Sequence, residues 1–221
     1  MPITAFPDVR KATRDGLLAV GGDLHPESLI LAYSSGIFPW PIEGMPLPWF
    51  CPPRRAIIDF SSVHRSRSLR RTLRKTDLRL SVDEAFGRVM RGCAEVPRAE
   101  GNGTWITAEM LAAYGRLHEM GLAHSVEAWR ESELVGGIYG VSIGNTFSAE
   151  SMFRLADNAS KLALVHLIDH LASRGLDWLD VQVMSPHVRA LGAEEIPRDQ
   201  YLRRLKETQA KNLDLFPPRT R

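Results

Sequence analysis

The sequence predicts an α+β protein. A small, proline-rich N-terminal cap is expected over residues 1–58, followed by a larger domain over residues 59–221 with a mostly antiparallel central sheet flanked by helices. Three observations carry this reading. Nine of the fourteen prolines fall within residues 1–53. Because proline removes a backbone donor and fixes φ, the run IFPWPIEGMPLPWFCPP is expected to form neither a regular helix nor a central strand. Residues 124–154 read as strand, turn, strand, turn, strand, with turns at Glu131-Ser132-Glu133 and Gly144-Asn145. A helical pattern from Asn158 to Arg174 then leads into the alternating run Trp178–Gln182.

In order, the first helix is expected from Pro26 to Ser35, with Gly36 as its stop. The proline-rich run that follows carries Phe38, Trp40, Trp49 and Phe50. These either pack a cap onto the core or present a platform on which a base stacks. The glycines of GLLAVGGDL lack the spacing of a dinucleotide or phosphate-binding loop. A second helix is expected from Ser66 to Lys75. Arg67, Arg70, Arg71 and Arg74 recur there at i, i+3, i+4 and i+7 and share a face, with Leu69 and Leu73 opposite.

Charge is concentrated at that helix. Basic residues outnumber acidic ones nine to two over residues 54–79, against three to five before it and sixteen to nineteen after it. The basic face therefore suggests contact with a phosphate backbone; a solvated face is the alternative. A further helix is expected over Ala108–Met120, capped by Thr107, and Trp105 ends the glycine-containing stretch GNGTW before it. In LVGGIYGV, Gly136, Gly137 and Gly140 are expected either to bare the backbone for a ligand or to mark bulges. Asp157 is the expected cap of the 158–174 helix, whose stripe is Leu164, Leu167, Ile168 and Leu171. A short helix is expected from Pro186 to Leu191. From about Tyr201 on the periodicity fades, and the chain is expected on the surface.

The chemistry gathers late in the chain. In the 178–182 run, Trp178, Asp180 and Gln182 face one side, and Leu179, Val181 and Val183 the other. An acid and an amide thus project together, roughly 6.5–7 Å apart along the strand. Glu150 ends the preceding strand pair near Phe147 and Met152. Composition is that of a globular protein, 44% hydrophobic and 24% charged, with no apolar run near the ~20 residues that span a bilayer. The N-terminus shows no apolar signal core. Cys51 and Cys93 are too few for a disulfide framework or a zinc site. The expectation is a reduced, cytoplasmic protein without a structural metal and without a membrane partner. His166 and His170 stand at i, i+4 but lack a third ligand in register, and read as a surface pair.

The order helix, helix, three strands, helix, strand, helix is similar to that of the GNAT acyltransferases, whose acyl donors bind between splayed central strands. The coenzyme A loop of that superfamily is missing, since FRLADNASK leads into the main helix. The segments GLLAVGGDL, GIFPW, GTWIT, AYGRLHEMGLAHSVEAW, ELVGGIYGV, AESMF, NASK, LDVQV and LGAEEIPR run in order along nearly the whole chain. Together they resemble the leucyl/phenylalanyl-tRNA–protein transferase family.

That resemblance implies transfer of leucine or phenylalanine, less readily methionine, from aminoacyl-tRNA to an N-terminal Arg or Lys of a protein, marking it for degradation. It implies a GNAT-like domain, no cofactor, and aminoacyl-tRNA as co-substrate. It places Trp40 and Trp105 on either side of the terminal adenine. It lines the aminoacyl pocket with Ile138, Phe147, Met152, Leu164, Leu167, Leu171 and Leu179. It sets Asp180 and Gln182 at the reacting amine with Glu150 close by. On that basis Asp180 is expected to polarise Gln182, and Glu150 to pair with the acceptor's basic side chain. Two other classes fit parts of the sequence: a peptidoglycan cross-bridge aminoacyltransferase, generally longer, and a non-catalytic RNA-binding module using the arginine helix alone.

Overall fold

Proline placement shapes the N-terminal unit. Strands β1 (Leu17–Val20), β2 (Phe38–Pro39) and β3 (Pro48–Phe50) form a three-stranded sheet in the order β1-β3-β2, and helix α1 (Pro26–Ser34) lies between β1 and β2 in the chain. Helix α1 starts with proline at its first turn, and Gly36, at φ 75°, turns the chain after it as expected. The proline-rich run does supply a central strand, against expectation. Pro48 is the first residue of β3, where a missing N–H is tolerated, and its carbonyl accepts from the Trp40 N–H at 3.1 Å. The buried Trp49 donates from Nε1 to the Gly21 carbonyl at 2.8 Å.

The computed structural model describes residues 1–96 and 104–217. The larger sheet draws on β4 (Arg54–Asp59), β5 (Arg79–Val82), β6 (Ala123–Arg130), β7 (Glu133–Ile143), β8 (Thr146–Arg154), β9 (Trp178–Gln182) and β10 (Glu194–Pro197). Around it stand α2 (Arg67–Lys75), α3 (Phe86–Glu95), α4 (Ala108–Glu119), α5 (Ala159–Ser173), α6 (Pro186–Arg189) and α7 (Arg198–Gln209). The strand order is β10-β4-β9-β8-β7-β6-β5. Every neighbouring pair is antiparallel except β8 and β9, which run parallel and pair at a single position, Ser148 with Asp180. The mostly antiparallel α+β architecture expected from the sequence is therefore present, with its one weak seam beside Asp180. Strand β4 crosses residue 58 and pairs with β9 and β10 of the large sheet. Among the described residues, no helix is long and apolar enough to cross a membrane.

The hairpin turn at Gly144-Asn145 has φ 62° and 63°, the left-handed pair that a two-residue turn between twisted strands requires. The β7 glycines serve packing rather than a ligand. A Cβ on Gly136 would lie 2.6 Å from the Ala159 Cβ of α5, and one on Gly137 would lie 2.9 Å from Val89 of α3. One on Gly140, beside a register shift, would lie 2.3 Å from the Ser148 carbonyl.

Four other expectations are corrected. Strand β5 and helix α3 stand where the sequence pattern suggested no element. The N-cap of α5 is Asn158, left-handed at φ 64°, rather than Asp157. The chain from Tyr201 on is not a surface tail: α7 buries Tyr201, Leu205 and Thr208 at i, i+4 and i+7, and Thr208 accepts from Trp178 Nε1 at 2.9 Å. His166 and His170 are half-buried, and His170 Nε2 lies 2.9 Å from the Leu215 carbonyl, so His170 packs the C-terminal segment.

Candidate active site

Asp180 sits at the seam of the sheet, buried to 1% exposure. Arg55, one strand away on β4, donates to it through two nitrogens, Nε to Oδ1 at 2.8 Å and Nη2 to Oδ2 at 2.7 Å. Ser148 Oγ and Tyr201 Oη donate to Oδ2 at 3.0 and 3.1 Å, and the Gln182 backbone N–H donates to Oδ1 at 2.9 Å. Five donors thus meet a carboxylate that offers about four lone-pair sites. Asp180 is a fixed anionic pivot with no lone pair left over for a substrate proton.

Arg55 also donates from Nη1 to the Gly36 carbonyl at 3.2 Å, and its guanidinium lies 4.6 Å from the rings of both Phe38 and Tyr201. Burial alone would loosen its proton, but the adjacent Asp180 charge outweighs that and raises it above the ordinary arginine range. Through this residue the small sheet, two residues before Trp40, is tied to the strand that carries Asp180. Sequence reasoning counted Arg55 as one of the block of basic residues. The available signal was its place in RRAIID, a charge embedded in an apolar strand, which calls for a buried partner.

The Gln182 side chain is held by Glu150, not Asp180: Nε2 donates to Glu150 Oε1 at 2.6 Å. Its backbone is strained. With φ at 59° and the Val183 N–H bonded to the Val181 carbonyl at 2.7 Å, Gln182 is the centre of the rarer form of γ-turn. That turn ends β9 and lifts the chain out of the sheet. The simple alternation read from the sequence holds through Asp180 and breaks there.

Glu150, on β8, faces a tyrosine from each of α1 and α4. Tyr114 of α4 donates to its Oε2 at 3.4 Å, and the Tyr33 hydroxyl of α1 is 2.5 Å from that of Tyr114. Burial pushes the Glu150 pKa up to about 7; the Asp180 charge adds to the rise, while hydrogen bonds from Tyr33 and Gln182 and the Arg55 charge oppose it.

Trp40 and Trp105 come together, stacked with ring centroids 5.3 Å apart and planes 28° from parallel. They pack on each other, so an adenine between them requires the rings to part. The glycine stretch before Trp105, residues 101–103, lies outside the described residues. The seven residues expected around the aminoacyl group gather in one apolar cluster, six of them buried and Met152 partly so. Met152 and Leu164 also form the apolar side of a cavity of about 100 Å³ whose basic side is Arg154, Lys161 and His187. On α2, Arg67, Arg70, Arg71 and Arg74 are exposed, while Leu69 is buried.

A mostly antiparallel sheet with one parallel seam, a clamped carboxylate at that seam and a second carboxylate beside it make up the fold and site of an α+β enzyme of the transferase class. Residues 57–206 match the family model for leucyl/phenylalanyl-tRNA protein transferase, and residues 22–53 match that for the N-terminal domain of the same proteins. The chain belongs to the leucyl/phenylalanyl-tRNA protein transferase family. A leucyl/phenylalanyl-tRNA–protein transferase of Anaeromyxobacter dehalogenans is 52% identical over 201 residues, covering 91% of this chain and 86% of the relative. That of Chromobacterium violaceum is 50% identical over 208 residues, covering 93% and 89%. Among solved structures, L-PGS from Bacillus licheniformis is similar at 16% identity with a TM-score of 0.40, covering 72% of this chain and 52% of that chain.

Proposed function

We propose that the protein transfers leucine or phenylalanine, and methionine less readily, from aminoacyl-tRNA to the N-terminal Arg or Lys of acceptor proteins, which are thereby marked for degradation. The observation that carries this reading is the line Arg55–Asp180–Gln182–Glu150, in which each member is hydrogen-bonded to the next beside the apolar cluster of Leu164 and Leu179. Family membership supports the donor and the reaction. An aminoacyl-tRNA is already an activated ester, so the site has to orient the acceptor amine, remove a proton and accept charge on the carbonyl oxygen. Asp180 and Arg55 fix the strand end, and the Gln182 amide orients the amine. The apolar cluster takes the leucyl or phenyl side chain, Trp40 and Trp105 open around the terminal adenine, and the exposed arginines of α2 lie along acceptor-stem phosphates. The direct test mixes the protein with radiolabelled leucyl-tRNA and peptides beginning with Arg or with a neutral residue. Label in the Arg peptide alone supports the reading, and label in neither removes it.

Two consequences concern tRNA. Replacing two of Arg67, Arg70, Arg71 and Arg74 with Ala should weaken tRNA binding whatever its sequence, and lower the salt slope by roughly 0.7–0.9 for each phosphate no longer neutralised. Filter binding across a salt series measures both, and unchanged slopes would make the helix a solvated face. Trp40→Ala or Trp105→Ala should cost ~1–3 kcal/mol of donor binding, with much of it restored by Phe. Titration with aminoacyl-adenosine reads this, and normal affinity in folded Ala variants would leave the two rings packed on each other with no role in binding.

A further inference from the structure

We propose that the basic cavity among the end of β8, the start of α5 and α6 holds a phosphodiester of the donor's single-stranded 3′ end, just upstream of the terminal adenosine. This rests on the transferase reading above and adds a subsite to it. The cavity, of about 100 Å³, has Met152 and Leu164 on one side and Arg154, Lys161 and His187 on the other. No carboxylate lines it. Among the described residues, none of its basic side chains takes part in an ion pair. Arg154 and His187 are exposed and Lys161 is half-buried, so these charges are open to a ligand arriving from solvent.

Its walls put the cavity between the stem-binding helix and the acyl site. Met152 and Leu164 also belong to the apolar cluster expected around the aminoacyl group. On the other side, the His64 N–H donates to the carbonyl of Leu191, which lines the cavity, at 2.9 Å. Arg65, two residues before α2, pairs with Asp169 of α5. Leu73 of α2 packs with Ala159 and Leu162 of α5. The arginine helix therefore rests on the same helix whose first turn borders the cavity. A nucleotide strand that leaves the exposed arginines of α2 and delivers its acyl group to the cluster has this cavity on its way.

The charge selects the donor over the acceptor. An acceptor beginning with Arg or Lys is cationic, and the unpaired Arg154 and Lys161 repel it. A phosphodiester is anionic throughout the working pH range, and a guanidinium fork matches two of its oxygens. Helix α5 adds to this. Its N-cap, Asn158, makes no side-chain cap hydrogen bond, so the first-turn N–H groups and the positive end of the helix dipole reinforce the basic side chains. Contacts of this kind fix the register of a strand without reading its bases.

The test compares two amide-linked donors on the full chain: leucyl-adenosine, which has no phosphodiester, and a leucylated trinucleotide ending in the same adenosine. The wild-type protein should bind the trinucleotide about tenfold or more tightly, the worth of a hydrogen bond to a charged group. Arg154→Ala with Lys161→Ala should erase that gain and lower the trinucleotide's salt slope by roughly 0.7 for a phosphate no longer neutralised. Leucyl-adenosine should bind this variant as before, which also reports that it is folded. Lys161→Arg should keep the gain, and changing the upstream bases should leave it unaltered. A gain that is absent from the wild type, or that survives the paired variant, overturns the proposal alone. So does an equal loss for both donors, since the residues would then wall the acyl pocket, and so does a defect confined to peptide KM, which would put the acceptor in the cavity. Inorganic phosphate that displaces the trinucleotide at concentrations near the trinucleotide's own Kd would make the cavity a free-anion site and overturn it too. A wild-type protein that binds neither donor and labels no Arg peptide overturns the transferase reading together with it.

Discussion

Arg55→Met is expected to destabilise the protein by roughly 3–5 kcal/mol, because it leaves the Asp180 carboxylate buried without its cation. For a chain of this size that lowers the melting temperature by about 10 °C. Arg55 is itself only 1% exposed, so solvent does little to compensate. Arg55→Lys should fall between, since it keeps the charge but gives up the two-nitrogen grip, the stacking on Phe38 and Tyr201, and the reach to Gly36. Asp180→Asn should be costly for the converse reason, stranding the guanidinium. The double variant Arg55→Met with Asp180→Leu separates stability from chemistry. Apolar replacement of a buried ion pair is often neutral, so the melting temperature should largely return. Transfer should not, because the strand end that carries Gln182 no longer has its anchor. Thermal melts alongside single-turnover transfer measure both. A double variant that regains both stability and transfer would reduce the pair to packing.

Much of this site could be seen in the sequence because local periodicity reports it. The alternation from Trp178 to Asp180 and the arginine spacing on α2 depend only on near neighbours, and the structure places those side chains on the faces the spacing requires. What stayed hidden depends on distant pairing. Arg55 is 125 positions from Asp180 and meets it only because β4 lies beside β9. The turn at Gln182 follows from a strand ending at a register shift opposite Ala56 and Ile57, which no single-strand pattern contains. Helix α7 buries Tyr201, Leu205 and Thr208 at helical spacing, but the last of these is a threonine, and charged residues fill much of the rest. The buried stripe of α3, Phe86, Val89, Met90 and Cys93, has clear helical spacing and was open to being read. The β7 glycines mislead for a general reason: a missing side chain marks close approach, and sequence does not say whether a ligand or a neighbouring helix approaches.

Gln182→Ala is expected to lower single-turnover transfer by about 10²-fold or more while tRNA binding stays near wild type. The side chain holds Glu150 through its 2.6 Å hydrogen bond, so truncating it removes the orienting amide and frees the carboxylate together. For the same reason the double variant with Glu150→Gln should be little worse than the more impaired single one, as expected of groups that act as a unit. The backbone supplies a control that separates chemistry from stability. At φ 59° any residue but glycine is strained there, by roughly 1–2 kcal/mol. Gln182→Gly should therefore be more stable than Gln182→Ala by about 1 kcal/mol, yet equally slow. If strain in the turn, rather than the amide, drives transfer, the two variants should differ in rate: Ala keeps the turn tense and Gly relaxes it. Melting curves with single-turnover rates on both variants decide between these. Equal rates near wild type would remove Gln182 from the reaction and leave the line from Arg55 to Glu150 a structural brace.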